Sequence, residues 1–214
     1  MKTVLVTGGT VRLGKAIAER LRADGWRVLT SSHRADAGAD IVADLSEPMG
    51  AAKLFAAALQ ALGGNPPDAL VNNAGLFTGD AAAVRAVNLE APRKLTMMMA
   101  GRETGVGAVV NLLDAGVSDR DRRPSAAAEG YLESKRDLRA FTLAGAMMFA
   151  ATLRVNGVAP GPVMAPTEVR EKAGETLLAH RPTAADVAAA VAYLLSAEAT
   201  TGCIVPVDGG QGML

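Results

Sequence analysis

The sequence predicts an α/β fold: a single domain over residues 1–214 built on one doubly wound parallel sheet of about seven strands, with the helix between strands 2 and 3 missing or vestigial. Three observations predict it. Short β-branched runs alternate with longer alanine-rich segments of helical period, the pattern of βα units wound into a parallel sheet. The first such run, "TVLVT", passes directly into the turn "GGTVRLG" and then into "KAIAERL". Between the second and third runs, "SSHRADAGA" is shorter than the dozen or more residues that a helical crossover takes.

Taken in order, strands fall at 2–6, 27–30, 40–43, 69–72, 107–112, 154–158 and 203–207. Helices fall between them at 12–24, 48–62, 81–100, 127–149 and 184–196. The exception is the connection to the third strand. About seven extended residues at up to ~3.5 Å each can return the length of a strand, so an irregular crossover is expected there. No repeat, low-complexity tract or linker interrupts the series.

Composition narrows the partners. Twenty-two basic and 22 acidic side chains give a formal net charge of zero, which gives no reason to expect nucleic acid or an anionic membrane. Cys203 is the one cysteine, so no disulfide forms within the chain. The N-terminus carries neither a basic leader nor a cleavage site, and the apolar stretch 140–153 is too short to span a bilayer comfortably. A soluble, cytoplasmic protein acting on a small molecule is the expectation.

Several residues carry chemistry. A strand ending at Thr7, a turn with Gly8 and Gly9 and a helix opening near Arg12 would aim backbone N–H groups and a positive helix end at a diphosphate. Gly14 would let that helix pack closely on the sheet. Arg12 stands where a second turn glycine would be expected, with Gly8, Gly9 and Gly14 left to meet the needs of the turn. After the second strand come Ser31, Ser32, His33 and Arg34, with no acid until Asp36. An acid at the strand end would bind a ribose 2′-hydroxyl; Arg34 could instead grip a 2′-phosphate through its planar fork, with His33 or a serine as second donor. That favours NADP(H), the other reading of Arg34 being a solvated surface arginine. In "YLESK", Tyr131 and Lys135 are four apart on one helix face. An ammonium beside a phenol stabilises the ionised form, so the Tyr131 pKa is expected to fall from about 10 toward the working range.

With these pieces the chain resembles the short-chain dehydrogenase/reductases over nearly its whole length. The matching segments are "TGGTVRLG", "ADL" at Asp44, "NNAG" at 72–75, "VNLEAP" at Asn88, "VVNLL" at Asn111, "YLESK", "RVNGVAPGPV" and "VDGG". The resemblance implies a Rossmann-type NAD(P)-binding domain that transfers hydride. Tyr131 would donate the proton, Lys135 would hold the nicotinamide ribose, and Asn88 would help hold a water in the proton relay. Matching positions place Gly8, Thr10, Arg12, Leu13, His33, Arg34, Asp44, Leu45, Asn73, Ala74, Gly75, Lys135, Pro160, Gly161 and Val163 against the cofactor, Asp44 at the adenine. The family's catalytic serine falls at Asp114. A carboxylate cannot copy a hydroxyl, because it donates only when protonated. Asp114 also precedes Tyr131 by seventeen residues, a few more than usual, and the extra length is the polar segment 118–125.

Arg12 for glycine, the His33–Arg34 pair, Asp114 for serine and an aromatic ring at Phe77 together resemble the pteridine-reductase branch, which includes dihydromonapterin reductases. The implied reaction is hydride transfer from NADPH to a pterin C=N bond, with Arg12, Phe77, Asp114 and Tyr131 at the substrate. Two alternatives stand beside it: a reductase of ordinary ketones or aldehydes, and a non-catalytic NADP-binding regulator. The segment 163–182 is expected to form the substrate lid, with Thr167 serving for a threonine that the family carries nearer its "PG". Met97–Met99, Met147 and Met148 mark helix faces at 95–100 and 141–151 that need covering, and the resemblance implies a homodimer or homotetramer paired there. His180 and Cys203 are expected to be structural, and two histidines with one cysteine offer no metal site.

Overall fold

The computed structural model describes residues 1–77, 79–103, 105–117, 129–163 and 176–213. Their centre is a seven-stranded parallel sheet of β1 (Thr3–Thr7), β2 (Arg27–Ser32), β3 (Ile41–Val42), β4 (Ala69–Asn72), β5 (Gly107–Leu112), β6 (Leu153–Pro160) and β7 (Ile204–Val207), in the order β3-β2-β1-β4-β5-β6-β7. The sheet and its sequence order agree with the expectation. Strand order reverses between β1 and β4, which opens a crevice beyond their C-terminal ends.

Alternate strand residues feed two cores. Val4, Val6, Val71, Val110 and Val158 pack under α1 (Arg12–Ala23) and α6 (Ala184–Ser196), against Ile17, Leu21, Val191 and Leu194. Leu5, Leu29, Leu70, Val109 and Val155 face the other way, toward α2 (Gly50–Ala61), α4 (Ala91–Ala100) and α5 (Glu129–Met148), where Leu54, Leu95, Met99 and Ala146 meet them. The period of two in "VLV" thereby becomes a sheet covered on both faces.

The short crossover after β2 is a single 3-10 turn at Ala35–Ala37, the vestigial helix expected. Asp40 closes it by accepting hydrogen bonds from the Thr30 amide and hydroxyl, both at 2.7 Å. The predicted helix 81–100 departs more from expectation. It divides into α3 (Ala81–Arg85), a π-helical turn at Ala86–Glu90, and α4. Pro92 has no N–H to give the Asn88 carbonyl four residues back, and its ring would collide with that carbonyl, so the helix widens around Asn88. At the other end of the sheet, Arg154 of β6 donates to the carbonyls of Leu194, Leu195 and Ala197 at 2.9 Å and of Thr200 at 3.3 Å. It thus satisfies the orphan carbonyls where α6 ends. Asn156 ties in the same loop through the Thr200 carbonyl and the Cys203 amide.

The insertion at 118–125, most of the expected lid at 163–182 including Thr167, and the first residues of the predicted helix 127–149 lie outside the described residues. No helix among the described residues is long and apolar enough to cross a membrane.

Candidate active site

The glycine turn sits at the reversal of strand order and is stapled from β4. Thr7 Oγ1 accepts from the amides of Asn73 and Ala74 at 3.0 Å, while Asn73 Nδ2 donates to the carbonyls of Thr7 and Gly8 at 2.9 and 3.1 Å. This explains why "TGG" and "NNAG" occur together: the second motif clamps the first. Gly8 is left-handed at φ 62°. A Cβ on Gly14 would run into the Gly8 carbonyl oxygen and stand 2.5 Å from Asn73 Nδ2, so only glycine allows α1 so close to the turn.

Arg12 also adopts a left-handed backbone, φ 50°, at the first position of α1. The expectation that Gly8, Gly9 and Gly14 meet the needs of the turn is therefore corrected. The turn demands a second left-handed residue, and Arg12 supplies it at a cost of about 1 kcal/mol that a glycine would not bear. Its side chain is exposed beside the crevice.

These residues fit a dinucleotide. Helix α1 starts without a side-chain cap and without an acid in its first turn, so its N-terminal dipole is left for an anion. A Cβ on Gly75 would stand 3.4 Å from Asn88 Oδ1 and 3.8 Å from Lys135 Nζ, so this backbone leaves room for a ligand beside Lys135. Asp44 accepts from the Ser46 amide and hydroxyl at 2.8 and 2.6 Å, bonds that hold its carboxyl below the usual range and keep it an acceptor. Leu45 beside it is buried. His33 and Arg34 are exposed beyond β2. The Arg34 fork is engaged by Asp36 at 2.9 and 2.7 Å, and Ser32 Oγ accepts from the Arg34 amide. An exposed pair of this kind is weak, so a phosphate can draw the guanidinium away. Pro160 ends β6 and Gly161 and Val163 follow it, with the Gly161 amide bonded to the Val207 carbonyl.

Beyond β5 the reactive side chains converge. Tyr131 donates its phenolic O–H to Asp114 Oδ2 at 2.9 Å, and Asp114 Oδ1 accepts from the Gly116 amide at 2.7 Å. Lys135, buried, donates to the Leu112 carbonyl at 2.7 Å and stands 5.7 Å from the centre of the Tyr131 ring. Phe77 lies against the same ring, centroid to centroid 4.9 Å and inclined at 54°. Behind Asp114 a cavity of about 310 Å³ extends between Val117, Arg139, Ala159, Ile204 and Asp208. The separation of Asp114 and Tyr131 in sequence does not separate them in space.

The electrostatics reverse one expectation. Burial, reinforced by the Asp114 carboxylate and by the hydrogen bond to it, pushes the Tyr131 phenol well above its ordinary pKa. The expected lowering by Lys135 is not found: burial comes first, Asp114 adds to it, and the ammonium is engaged by the Leu112 carbonyl. Lys135 itself is brought down from 10.5 to about 8 by burial, with Asp114 opposing. A phenol held protonated beside a carboxylate is a proton donor.

Asn88 was expected at the site, whereas Ser134 and Thr142 were not. Asn88, fully buried on the π-turn, exchanges hydrogen bonds with the Leu76 amide and carbonyl, both 2.8 Å, and donates to Ser134 Oγ at 3.1 Å. A second buried row runs from Asn72 to Asn111 at 2.8 Å and on to Thr142 at 2.9 Å. Ser134 and Thr142 carry no signal beyond their i+3 and i+11 positions from Tyr131 on one helix. Among the described residues no group of three or more metal-ligating side chains occurs.

The fold and this constellation define a class, and the comparison with known proteins agrees: the chain belongs to the short-chain dehydrogenase family, whose sequence profile, "short chain dehydrogenase", matches residues 2–177. It is an enzyme, an oxidoreductase of the NAD(P)-dependent kind. Among solved structures it is similar to FolM alternative dihydrofolate reductase 1 from Brucella canis complexed with NADP, at 30% identity and TM-score 0.85, covering 100% of this chain and 95% of that one. Among curated relatives it is 30% identical to glucose 1-dehydrogenase 2 of Bacillus subtilis, over 98% of this chain and 94% of the relative. It is also 30% identical to the 3-oxoacyl-(acyl-carrier-protein) reductase MabA of Mycobacterium avium, over 99% and 90%.

Proposed function

We propose that the protein is an NADPH-dependent reductase of a pterin, taking a dihydropterin-type ring to the tetrahydro level. The observation that carries the reading is the Phe77–Tyr131–Asp114 arrangement: an aromatic wall 4.9 Å from the proton donor, and a carboxylate in place of a neutral hydroxyl. A flat heteroaromatic ring gains stacking from Phe77, and its N–H groups find an acceptor in Asp114. The likeness to a FolM alternative dihydrofolate reductase supports it.

When bound, the dinucleotide supplies the hydride. Gly8, Thr10, Arg12 and Leu13 of the first turn would hold its diphosphate, Arg34 with His33 its 2′-phosphate, Asp44 with Leu45 would lie at the adenine, and Asn73 to Gly75, Pro160, Gly161 and Val163 would line the rest of its site. Lys135 orients the ribose. Tyr131 would pass its proton to the substrate nitrogen, leaving a phenolate that takes its proton back from solvent, while the Asp114 carboxylate, which accepts from the phenol at 2.9 Å, holds the donor in place. Arg12, exposed at the start of α1, would lie beside both phosphate and substrate. The enzyme acts in the cytoplasm as a homodimer or homotetramer, a reading supported by the exposed Met97 of α4 and Met147 and Met148 of α5.

NADP(H) is chosen by Arg34. Exchange of Arg34 for Ala is expected to weaken NADPH by about 10- to 100-fold while leaving NADH within a factor of two, read by fluorescence titration. Equal losses remove the basis for NADP. The substrate is tested by supplying NADPH with dihydropterins and, in parallel, with simple ketones and aldehydes. Dihydropterins are expected to give the highest kcat/KM. A clear preference for carbonyl compounds replaces this reading with that of an ordinary ketone reductase, for which the ketoacyl reductase relative is the support.

A further inference from the structure

Two walls of the reactive site belong to different parts of the chain. Phe77 sits in the loop after β4, and Tyr131 near the start of α5. Their rings touch, yet among the described residues no backbone–backbone hydrogen bond joins the two segments. A side-chain route does join them. The Leu76 amide and carbonyl are both bonded to the Asn88 side chain; Asn88 Nδ2 also donates to Ser134 Oγ at 3.1 Å, and Ser134 Oγ donates to the Tyr131 carbonyl at 2.6 Å.

We infer that Ser134 is a positioning residue, whose hydroxyl fixes how the Tyr131 turn of α5 sits against the Phe77 segment and thereby where the proton donor stands relative to the aromatic wall that receives the substrate ring. The inference rests on the reading of Tyr131 as proton donor and Phe77 as that wall. Its physical basis is the double role of the hydroxyl. Ser134 is 2% exposed and Asn88 fully buried, so no bulk water stands ready to replace either bond. A hydroxyl can accept from the Asn88 amide and donate to the Tyr131 carbonyl at once; an alanine can do neither. With the tie gone, Asn88 loses one of its two anchored ends. The Leu76–Phe77 segment keeps its pair of bonds to Asn88, but the hydrogen-bonded route from Asn88 to the Tyr131 turn is cut, so that turn can shift locally while Lys135 and Thr142 still hold α5 to β5. A displacement of a fraction of an ångström between donor and substrate lowers the rate far more than it lowers binding.

The test compares Ser134→Ala with Ser134→Thr, which keeps a hydroxyl able to bond back to the helix carbonyl. Hydrogen exchange at the Leu76 amide reads the tie directly and involves no substrate. In Ser134→Ala it is expected to be at least about tenfold faster, while the amides of Ala69–Asn72 keep their protection. Steady-state kinetics are expected to show kcat/KM about tenfold lower, with the NADPH dissociation constant unchanged. Ser134→Thr is expected to restore both. Unchanged Leu76 exchange in Ser134→Ala, or a loss of NADPH affinity equal to the loss of kcat/KM, overturns the inference. Should the pterin reading fail, the kinetics are run on whichever carbonyl compound the wild type reduces, and the exchange result stands independently.

Discussion

Exchange of Tyr131 for Phe is expected to lower kcat by about 10³-fold or more while NADPH still binds with its dissociation constant within a factor of about three. The phenyl ring keeps the contact with Phe77, so the packing of the aromatic wall survives. What is lost is the O–H that bonds Asp114 at 2.9 Å, and with it the proton that must accompany the hydride. Stopped-flow or steady-state absorbance of NADPH reads the turnover, and fluorescence reads the binding. Undiminished turnover would move the proton donor to another group and sink the assignment.

The pH dependence follows from the same triad. Tyr131 stays protonated through and beyond the neutral range, because burial and Asp114 raise its pKa. The limb on the alkaline side therefore belongs to Lys135, lowered to about 8 by burial. In the reduction direction kcat/KM is expected to be flat below that value and to fall above it, as the ammonium that orients the ribose is lost. The sign for stability is opposite. Between about pH 8 and 10.5 the unfolded chain binds more protons at Lys135 than the folded one, so the burial penalty, complete below pH 8, is relieved as the pH rises.

The second large effect is at Gly14. Exchange for Ala puts a methyl group into the Gly8 carbonyl, a backbone atom that cannot rotate away, and 2.5 Å from Asn73 Nδ2. The expected cost is about 2–3 kcal/mol of stability, roughly 5–10 °C in Tm for a chain of this length. NADPH binding is expected to weaken by two orders of magnitude or more, since the turn must open to admit the methyl and its staples from Asn73 break. Thermal melts and titration read both, and a variant with wild-type Tm and affinity would show that the turn is not held as described.

Much of this site is local, which is why it was legible. The glycine turn, the "YLESK" helix and the "NNAG" strand end each carry their chemistry within a few residues, and the alternation of runs and helices is enough to place them at one edge of a sheet. Helix α6 was read to the residue from its helical period, and the structure shows a Thr183–Asp186 capping box at its start. What was misread depends on contacts between distant segments. Asp114 was found by counting from Asn111, but its bond to Tyr131 spans an insertion whose path no spacing rule gives.

The amino-acid sequence by itself determined the class of fold, the places of the strands along the chain, the missing helix and the residue types brought to the reaction. Only the tertiary structure decided how those residues behave. It put Arg12 in a left-handed conformation, because the turn's path is closed by Asn73 from another strand. It opened the helix into a π-turn at Asn88, and it recruited Ser134 into the site through Asn88. It also turned the Tyr131 pKa upward where the neighbouring lysine alone would lower it. The physical reason is common to these cases. Backbone periodicity and turn chemistry act over a few residues and can be read along the chain, whereas strain, desolvation and the partner of a charge are set by atoms that become neighbours only when the sheet and its helices close.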